Sequence, residues 1–154
     1  MHLIGVISDT HGLLRPEAIG ALAGVDHLVH AGDIGSPEIL DQLREIAPVT
    51  AVRGNNDRGA WAKEIPEAQL LDIDGRRLYV LHDISTLDLD PAAAGIAVVI
   101  TGHSHKPAAA ERNGVLFLNP GSAGPRRFKL PISVATLRVY AKSVRAEIHE
   151  LASG

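Results

Sequence analysis

The sequence predicts one α/β domain that contains mixed β-sheets, and three observations support this prediction. The chain has 154 residues, which fits one ordinary domain, so residues 1–154 are treated as a single domain. In the first third, short apolar runs alternate with helical patterns, as in parallel strands joined by crossovers. In the second half, Asp74-Gly75 and Asn113-Gly114 are the dipeptides typical of hairpins between antiparallel strands.

Three strands and two helices are expected in the first third. Residues 3–8 form a nearly continuous apolar run, which indicates a strand buried on both faces. Asp26 to His30 and Val49 to Val52 are the next two strands. Pro16 opens the first helix, where its missing N–H does no harm. Residues 36–38, Ser-Pro-Glu, supply an N-cap, a first-turn proline and an acid for the second helix.

The second half predicts further strands and one short helix. Gln69 to Ile73 and Leu78 to His82 flank the Asp-Gly turn, and Pro91 to Ala94 is expected to be a short helix before a buried strand at Ile96 to Thr101. The remaining strands are expected at Val115 to Leu118, Ile132 to Tyr140 and Ser143 to Leu151.

Composition excludes several classes of protein. The formal net charge is −3 and no basic tract stands out, so no general nucleic-acid interface is expected. The chain has no cysteine, which rules out disulfides and thiolate metal sites. The apolar run at the N-terminus is too short for a signal peptide, and no stretch approaches the roughly 18 to 20 apolar residues that span a bilayer. A cytoplasmic protein without a membrane segment is therefore expected.

Acids, histidines and an asparagine follow five apolar strands at their carboxyl ends. In open α/β sheets this edge is where ligand sites form, because the loops converge there. We therefore expect a polar site at this edge, built from Asp9, His11, Asp33, Asn55, His82, His103 and His105.

The spacing and chemistry of these residues point to a metal site with two ions. Asp9 and His11 are two residues apart, as are His103 and His105, and in extended backbone such pairs project to the same side. Two carboxylates, one amide and four imidazoles suit Mn, Fe, Zn or Ni rather than Ca or Mg alone. Seven ligands are too many for one metal but enough for two that share Asp33.

The ordered motifs Asp-x-His, Gly-Asp, Gly-Asn, a solitary His and Gly-His-x-His resemble those of the calcineurin-like metallophosphoesterases. The short length, the Gly-Asn-Asn-Asp form of the third motif and residues 119–122, Asn-Pro-Gly-Ser, are most similar to the small bacterial and archaeal phosphodiesterase branch. That branch also includes the eukaryotic retromer scaffold subunit. The resemblance runs from about Leu3 to Ser122 and implies a sandwich of two mixed β-sheets flanked by helices, with both metals at the carboxyl edge.

The resemblance also implies a role for each ligand. The first metal is expected on Asp9, His11 and His105, the second on Asn55, His82 and His103, and Asp33 is expected to bridge them. Two such cations lower the pKa of a bridging water to give a nucleophile near neutral pH, and they bind the phosphate oxygens. Mn²⁺ is the expected metal, with Fe, Ni or Zn as alternatives. The residues expected to act in catalysis are Asp9, His11, Asp33, Asn55 and His103.

Two positions depart from the family pattern. His82 is commonly followed by glycine in relatives but here by Asp83, which could be a ligand, a residue that orients a histidine, or a cap. Many larger members have a proton-donating histidine at the position of Asn56, and an amide cannot be a general acid. Slow turnover that depends on the leaving group is therefore expected.

Residues near the ligands are candidates for substrate contacts, and His30 is expected in the core or supporting the ligands. The candidate substrate-binding residues are Arg53, Asn56, Asn119 and Ser122. The leading function is hydrolysis of a small phosphodiester. Alternatives are a nucleotidase or cyclic-nucleotide phosphodiesterase, and a non-catalytic metal-binding scaffold. A homo-oligomer is possible on the same resemblance.

Overall fold

Two five-stranded sheets form the fold in the computed structural model, which describes residues 1–127 and 129–151. The strands, in chain order, are β1 His2–Ile7, β2 His27–His30, β3 Val49–Ala51, β4 Ala68–Ile73, β5 Arg76–Leu81, β6 Ile96–Ile100, β7 Ala108–Arg112, β8 Val115–Asn119, β9 Ser133–Val139 and β10 Val144–Glu150. The helices are α1 Pro16–Ala21, α2 Pro37–Arg44 and α3 Ala60–Lys63, with one 3₁₀ turn at Ile84–Thr86.

Both sheets are mixed, as the sequence predicts. The first has the order β10-β9-β1-β2-β3, in which β1, β2 and β3 are parallel and β9 and β10 are antiparallel additions. The second has the order β4-β5-β6-β8-β7, in which β5, β6 and β8 are parallel and the two edge strands are antiparallel. Each sheet therefore has three parallel strands whose carboxyl ends share one edge.

The main core lies between the sheets. Ile4 and Val6 of β1 belong to the same buried cluster as Leu78 and Val80 of β5 and Ile100 of β6. These side chains are inaccessible to solvent, so burial of aliphatic surface from both sheets stabilises the sandwich. The predicted sandwich of two mixed sheets is confirmed.

Helices α1 and α2 cover the outer face of the first sheet. The helix α2 begins at Pro37, as predicted, and turns Ile39, Leu40 and Leu43 inward at helical spacing. Ser36 occupies the N-cap position, but its side chain accepts no capping hydrogen bond. Helix α2 has eight residues and is the longest helix in the described ranges, where no helix is long and apolar enough to cross a membrane.

Two local predictions are wrong. The predicted short helix at Pro91–Ala94 is a single turn, because Gly95 with a φ of 73° redirects the chain into β6 after one hydrogen-bonded turn from Asp90. The helix α3, which contains Trp61, lies where no helix was predicted. Trp61 is partly buried against the cluster under α1 and α2, which draws this segment into a helical turn.

Candidate metal centre

The seven predicted ligands lie in the loops that follow the parallel strands of both sheets. Asp9 and His11 follow β1, Asp33 follows β2, and Asn55 follows β3. His82 follows β5, and the pair His103 and His105 follows β6. Since the three strands of each sheet end at one edge, the fold brings ligands from both sheets to the rim of the sandwich.

Asp9 is fully buried at the centre of this site, and its two carboxylate oxygens have different surroundings. Oδ2 accepts hydrogen bonds from the Ser8 hydroxyl at 2.7 Å and from the backbone N–H of His103 at 3.1 Å. Oδ1 has no hydrogen-bond partner among the described residues. It lies 3.4 Å from His105 Nε2, 3.7 Å from His11 Nε2 and 3.9 Å from His82 Nε2. One oxygen thus fixes the carboxylate, and the other faces three imidazoles.

Asp33 lies between His11 and His82. Its Oδ1 accepts from the backbone N–H of Asn56 at 2.9 Å, and its Oδ2 accepts from the Asn56 side-chain amide at 3.0 Å. Oδ2 is also 3.3 Å from His82 Nε2 and 3.7 Å from His11 Nε2. A carboxylate oxygen between two histidines of different loops is in a position to contact two ions.

His82 is held with one ring nitrogen toward the two acids. Its Nδ1 lies 2.7 Å from the carbonyl oxygen of Ala31, to which it can only donate. That tautomer leaves the lone pair on Nε2, the atom nearest to Asp33, and this Nε2 is buried without a hydrogen-bond partner in the described ranges. The weakest ligand prediction from sequence thus has a well-oriented imidazole.

Asn55 and His103 lie together at a more exposed position. His103 Nδ1 is 3.2 Å from the Asn55 side-chain oxygen, and His103 Nε2 is 3.7 Å from Oδ2 of Asp83. Among the described histidine and acid side chains, ligand atoms within 4.8 Å of one another form two groups, and neither contains His103. The groups are Asp9–His11–His105 and Asp9–Asp33–His82.

The backbone of most ligands is left-handed, which corrects the reason given for their convergence. Asp9, His11, Asp33, His103 and His105 have φ between 47° and 69°. Extended i and i+2 residues were expected to share a side, but both ligand pairs lie in turns. Non-glycine residues with such φ values cost about 1–3 kcal/mol each, and they cluster where the surrounding structure holds a functional site together.

The metal-free site leaves buried polar atoms unsatisfied. Asp9 Oδ1, His11 Nε2 and His82 Nε2 are buried, and none of them has a hydrogen-bond partner within residues 1–127 and 129–151. Buried polar atoms without partners are costly, and an imidazole lone pair beside carboxylate oxygens is repelled by them. Divalent cations bound by the two ligand groups would satisfy these three atoms, so the residues present fit metal binding.

The same groups perturb one another's ionisation. Burial raises the pKa of Asp33, but the interaction with His82 and the hydrogen bonds from Asn56 outweigh burial and hold the pKa well below the usual range. Burial lowers the pKa of His82, yet its interaction with Asp33 outweighs this and raises the pKa. Asp9 likewise has a lowered pKa, because His11 and Ser8 outweigh the effect of burial. The carboxylates are therefore ionised and available to a cation.

Glycines allow the closest approaches between loops. A Cβ on Gly102 would lie 2.7 Å from Asp9 Oδ2 and against the Ser8 hydroxyl, and a Cβ on Gly54 would lie against the backbone and carboxylate of Asp33. Neither position has room for a side chain.

Asp57 ties the loops of β2 and β3 together. Its carboxylate accepts hydrogen bonds from the backbone N–H groups of Ile34, Gly35 and Gly54 at 2.9 to 3.2 Å. In this chain Asp57 thus holds the loops that carry Asp33 and Asn55, a role that needs no histidine at position 56.

His30 and Thr10 support the site from the core, and sequence alone gave Thr10 no role. His30 is fully buried; its Nδ1 accepts from the backbone N–H of Gly32 at 3.1 Å, so its Nε2 donates to the Thr10 hydroxyl at 3.0 Å. That hydroxyl donates to the carbonyl of Ile34 at 2.7 Å. The chain of bonds joins the loops after β1 and β2 and requires a neutral His30.

His30 predicts acid sensitivity of the metal-free protein. Burial lowers the pKa of His30 to about 4, whereas an unfolded histidine has a pKa of about 6.5. The unfolded state therefore binds a proton that the folded state excludes as the pH falls from 6.5 to 4. The free energy of unfolding should drop by about 3 kcal/mol over that window. Urea unfolding in EDTA at several pH values measures this, and His30→Gln should remove that part of the slope; equal slopes in both proteins would contradict it.

The predicted substrate contacts have different surroundings. Arg53 lines a cleft beside Asn55 and His82 and pairs with Glu67 at 2.8 Å. Asn56 is exposed but donates to Asp33.

The last motif supports the loops of the ligands. The Asn119 amide donates to the Gly102 carbonyl at 3.0 Å, and the buried Ser122 hydroxyl donates to the Asp9 carbonyl at 3.1 Å. Substrate contacts by Asn119 and Ser122 stay predictions, as do those by the other two candidates.

Comparison of the sequence with known proteins identifies the family that the motifs resemble. The family model described as the calcineurin-like phosphoesterase superfamily domain matches residues 2–142. A probable metallophosphoesterase of Methanothermobacter thermautotrophicus is 39% identical over 158 residues, which cover 95% of this chain and 91% of the relative. A phosphodiesterase of Methanocaldococcus jannaschii is 31% identical over 137 residues, which cover 77% of this chain and 82% of the relative.

Solved structures share the fold. A structure described as a novel archaeal phosphodiesterase has a TM-score of 0.78 and 26% identity, with 96% of this chain and 99% of that chain covered. Vps29 of Chaetomium thermophilum has a TM-score of 0.80 at 19% identity, with 99% and 100% covered. Zinc-bound Vps29 of Entamoeba histolytica has a TM-score of 0.75 at 24% identity, with 96% and 98% covered. The two Vps29 structures bear on the fold alone.

Proposed function

This chain belongs to the calcineurin-like phosphoesterase superfamily, and on that premise we propose that it is a phosphodiesterase that depends on two divalent metal ions. The observation that carries the proposal is the convergence of unpartnered ligand atoms around Asp9 and Asp33. Similarity to proteins named as phosphodiesterases supports diesters over monoesters.

The proposed ligands would be divided between the two ions. Asp9, His11 and His105 would hold one ion, Asn55, His82 and His103 the other, and Asp33 both. Bound there, two divalent cations would acidify a water molecule and offset the negative charge of the phosphate. The oxygen–nitrogen ligand set favours Mn²⁺, with Fe, Ni or Zn also compatible.

The positioning of the ligands comes from the chain itself. The Ser8 hydroxyl and the His103 N–H fix Asp9, and the Ala31 carbonyl fixes the tautomer of His82. Asn56 donates to Asp33 and so orients the carboxylate proposed to be shared. Ligands that are held in place before the metal arrives lose little conformational entropy on binding.

A metal-binding scaffold is the alternative, and similarity in fold to Vps29 favours considering it. All seven proposed ligand positions carry side chains that can bind a metal. A non-catalytic scaffold would tolerate the loss of some of them, so the complete set supports the enzyme. A nucleotidase is a second alternative of the same chemistry.

Metal analysis combined with an ester assay tests the proposal. The protein should bind two equivalents of metal by elemental analysis and should hydrolyse bis(p-nitrophenyl) phosphate when Mn²⁺ is added. Tight metal binding with no turnover of a diester, a monoester or a nucleotide would favour the scaffold. Turnover of nucleotides alone would favour the nucleotidase.

The amide at Asn56 predicts strong dependence on the leaving group. No proton donor stands at that position, and general acid catalysis contributes about 10² to 10⁴ in rate for poor leaving groups. A series of aryl phosphodiesters of rising phenol pKa should therefore give a steep fall in kcat/KM. A flat series would show that another group donates the proton.

A further inference from the structure

A cleft opens beside the candidate metal centre on the side of His82 and Asn55. Its volume is about 210 Å³, enough for a small organic group. The side chains that line it belong to Arg53, Asn55, Glu67, His82, Asp83 and Thr86. Because two of these residues are proposed metal ligands, a phosphate held by the metals would place one of its ester groups beside this cleft.

The guanidinium group of Arg53 in this cleft is already paired with a carboxylate. Arg53 donates to Oε1 of Glu67 at 2.8 Å, and the Glu67 side chain is 79% exposed. An exposed ion pair of this kind contributes little to stability, but it removes the net positive charge that Arg53 would otherwise present.

Asp83 adds a second carboxylate to the lining of the cleft. Its Oδ1 accepts from the backbone N–H of Ser85 at 3.0 Å and from the Ser85 hydroxyl at 2.9 Å. Its Oδ2 lies 3.7 Å from His103 Nε2, which is too long for a hydrogen bond. Among the acidic side chains and the arginine that line the cleft, two carboxylates face one guanidinium, so the carboxylates are in excess.

The charged residues near His11 and His105 differ from those near His82 and Asn55. The charge of Arg127 acts on His11 and His105. The acidic residues Glu67 and Asp83 instead adjoin His82 and Asn55. A basic side chain thus acts on the side of His11 and His105, and two acidic side chains line the cleft on the side of His82 and Asn55.

We propose that this cleft, which Asp83 and Glu67 make acidic, binds one alcohol group of the diester substrate and selects alcohols that carry ammonium or hydroxyl groups over alcohols that carry a further anion. The inference rests on the proposed phosphodiesterase function and adds the class of substrate. Free carboxylate oxygens accept hydrogen bonds from ammonium and hydroxyl donors, and they repel a second phosphate or a carboxylate.

Nucleotide substrates fit the cleft poorly. None of its lining residues is Phe, Tyr or Trp, so it offers no large aromatic face on which a base could stack. A nucleoside polyphosphate would also bring extra negative charge toward Asp83. The substrate class that fits is a small diester of a polyol or an amino alcohol.

Symmetric dialkyl phosphates test this inference, because either ester group can then enter the cleft. Bis(2-aminoethyl) phosphate, diethyl phosphate and bis(carboxymethyl) phosphate would be compared as competitive inhibitors of bis(p-nitrophenyl) phosphate hydrolysis by the Mn²⁺-loaded protein. The amino compound should bind about five- to tenfold more tightly than the carboxylate compound. Asp83→Asn, in which the amide oxygen can still cap Ser85, should reduce this ratio to about twofold.

Asp88→Asn is the matched control, since Asp88 is an exposed acid five residues along that does not line the cleft. It should leave the ratio unchanged. Equal inhibition by the three compounds in the wild type, or an equal loss of selectivity in both variants, would overturn the inference alone. Failure of the metal-loaded wild type to cleave any diester would overturn the proposed function and this inference with it.

Discussion

Asp33→Ala is expected to abolish hydrolysis and to reduce the metal content from two ions to one or none. Asp33 Oδ2 lies 3.3 Å from His82 and 3.7 Å from His11, so its removal affects both proposed ions. Loss of the cations would remove several kcal/mol of transition-state stabilisation, which corresponds to about a thousandfold or more in rate. Elemental analysis and kcat/KM on bis(p-nitrophenyl) phosphate measure the two effects.

Asp41→Ala is the control for Asp33→Ala. Asp41 is an exposed acid on α2 whose only described ion pair is with Arg44 at 3.0 Å, so its loss should change neither metal content nor rate. Circular dichroism of both variants would show whether the fold is retained. An Asp33→Ala protein that is folded, binds two ions and keeps wild-type kcat/KM would contradict the proposed shared role.

Much of the fold follows from local patterns. The alternation of apolar runs and helical segments predicts β1, β2 and β3 with α1 and α2, and Asp74 marks the turn between β4 and β5. Periodicity fails where a segment is only one turn long, as at Pro91–Ala94 and in α3. At that length a helix and a turn share the same residues, and contacts such as that of Trp61 decide between them.

Chain order predicts which residues form the candidate metal centre, but it does not predict the hydrogen bonds that hold them in place. The polar residues after each strand predict which loops meet. Nothing local predicts that the N–H of His103 binds Asp9 from the other sheet, or that the Ala31 carbonyl selects the tautomer of His82. These contacts join residues 94 and 51 positions apart, so they depend on how the two sheets pack.

The left-handed turns also escape sequence reasoning. Only a few per cent of non-glycine residues adopt positive φ, so an extended geometry was the expectation for Asp9 and His11. The structure instead holds them by backbone hydrogen bonds: Asp9 N–H to Gly32 at 3.0 Å and His11 N–H to Asp33 at 2.9 Å. Hydrogen bonds between residues far apart in the chain stabilise these left-handed backbone conformations, and a local sequence pattern does not reveal such bonds.

Gly54→Ala is expected to destabilise the protein and to disrupt the metal centre, because position 54 has no room for a Cβ. An added methyl would lie against the Asp33 N–H and its carboxylate, with Asp33 Cγ only 2.8 Å away. The obstacle is backbone, which cannot move aside as the end of a flexible side chain can. Gly54 N–H also donates to Asp57 at 2.9 Å, so a shift of this loop would break the contact that ties it to the loop of Asp33.

The expected loss is about 3 kcal/mol in the free energy of unfolding of the metal-free protein, with weaker metal binding as well. Gly20→Ala provides the matched control: no atom lies within 4 Å of its added Cβ, and the residue lies in α1. Alanine there should raise stability by about 0.5–1 kcal/mol. Urea unfolding in EDTA, followed by metal titration, separates the two effects. If Gly54→Ala matched the wild type in both measurements, the close contact between the Gly54 loop and Asp33 would not be required for the site.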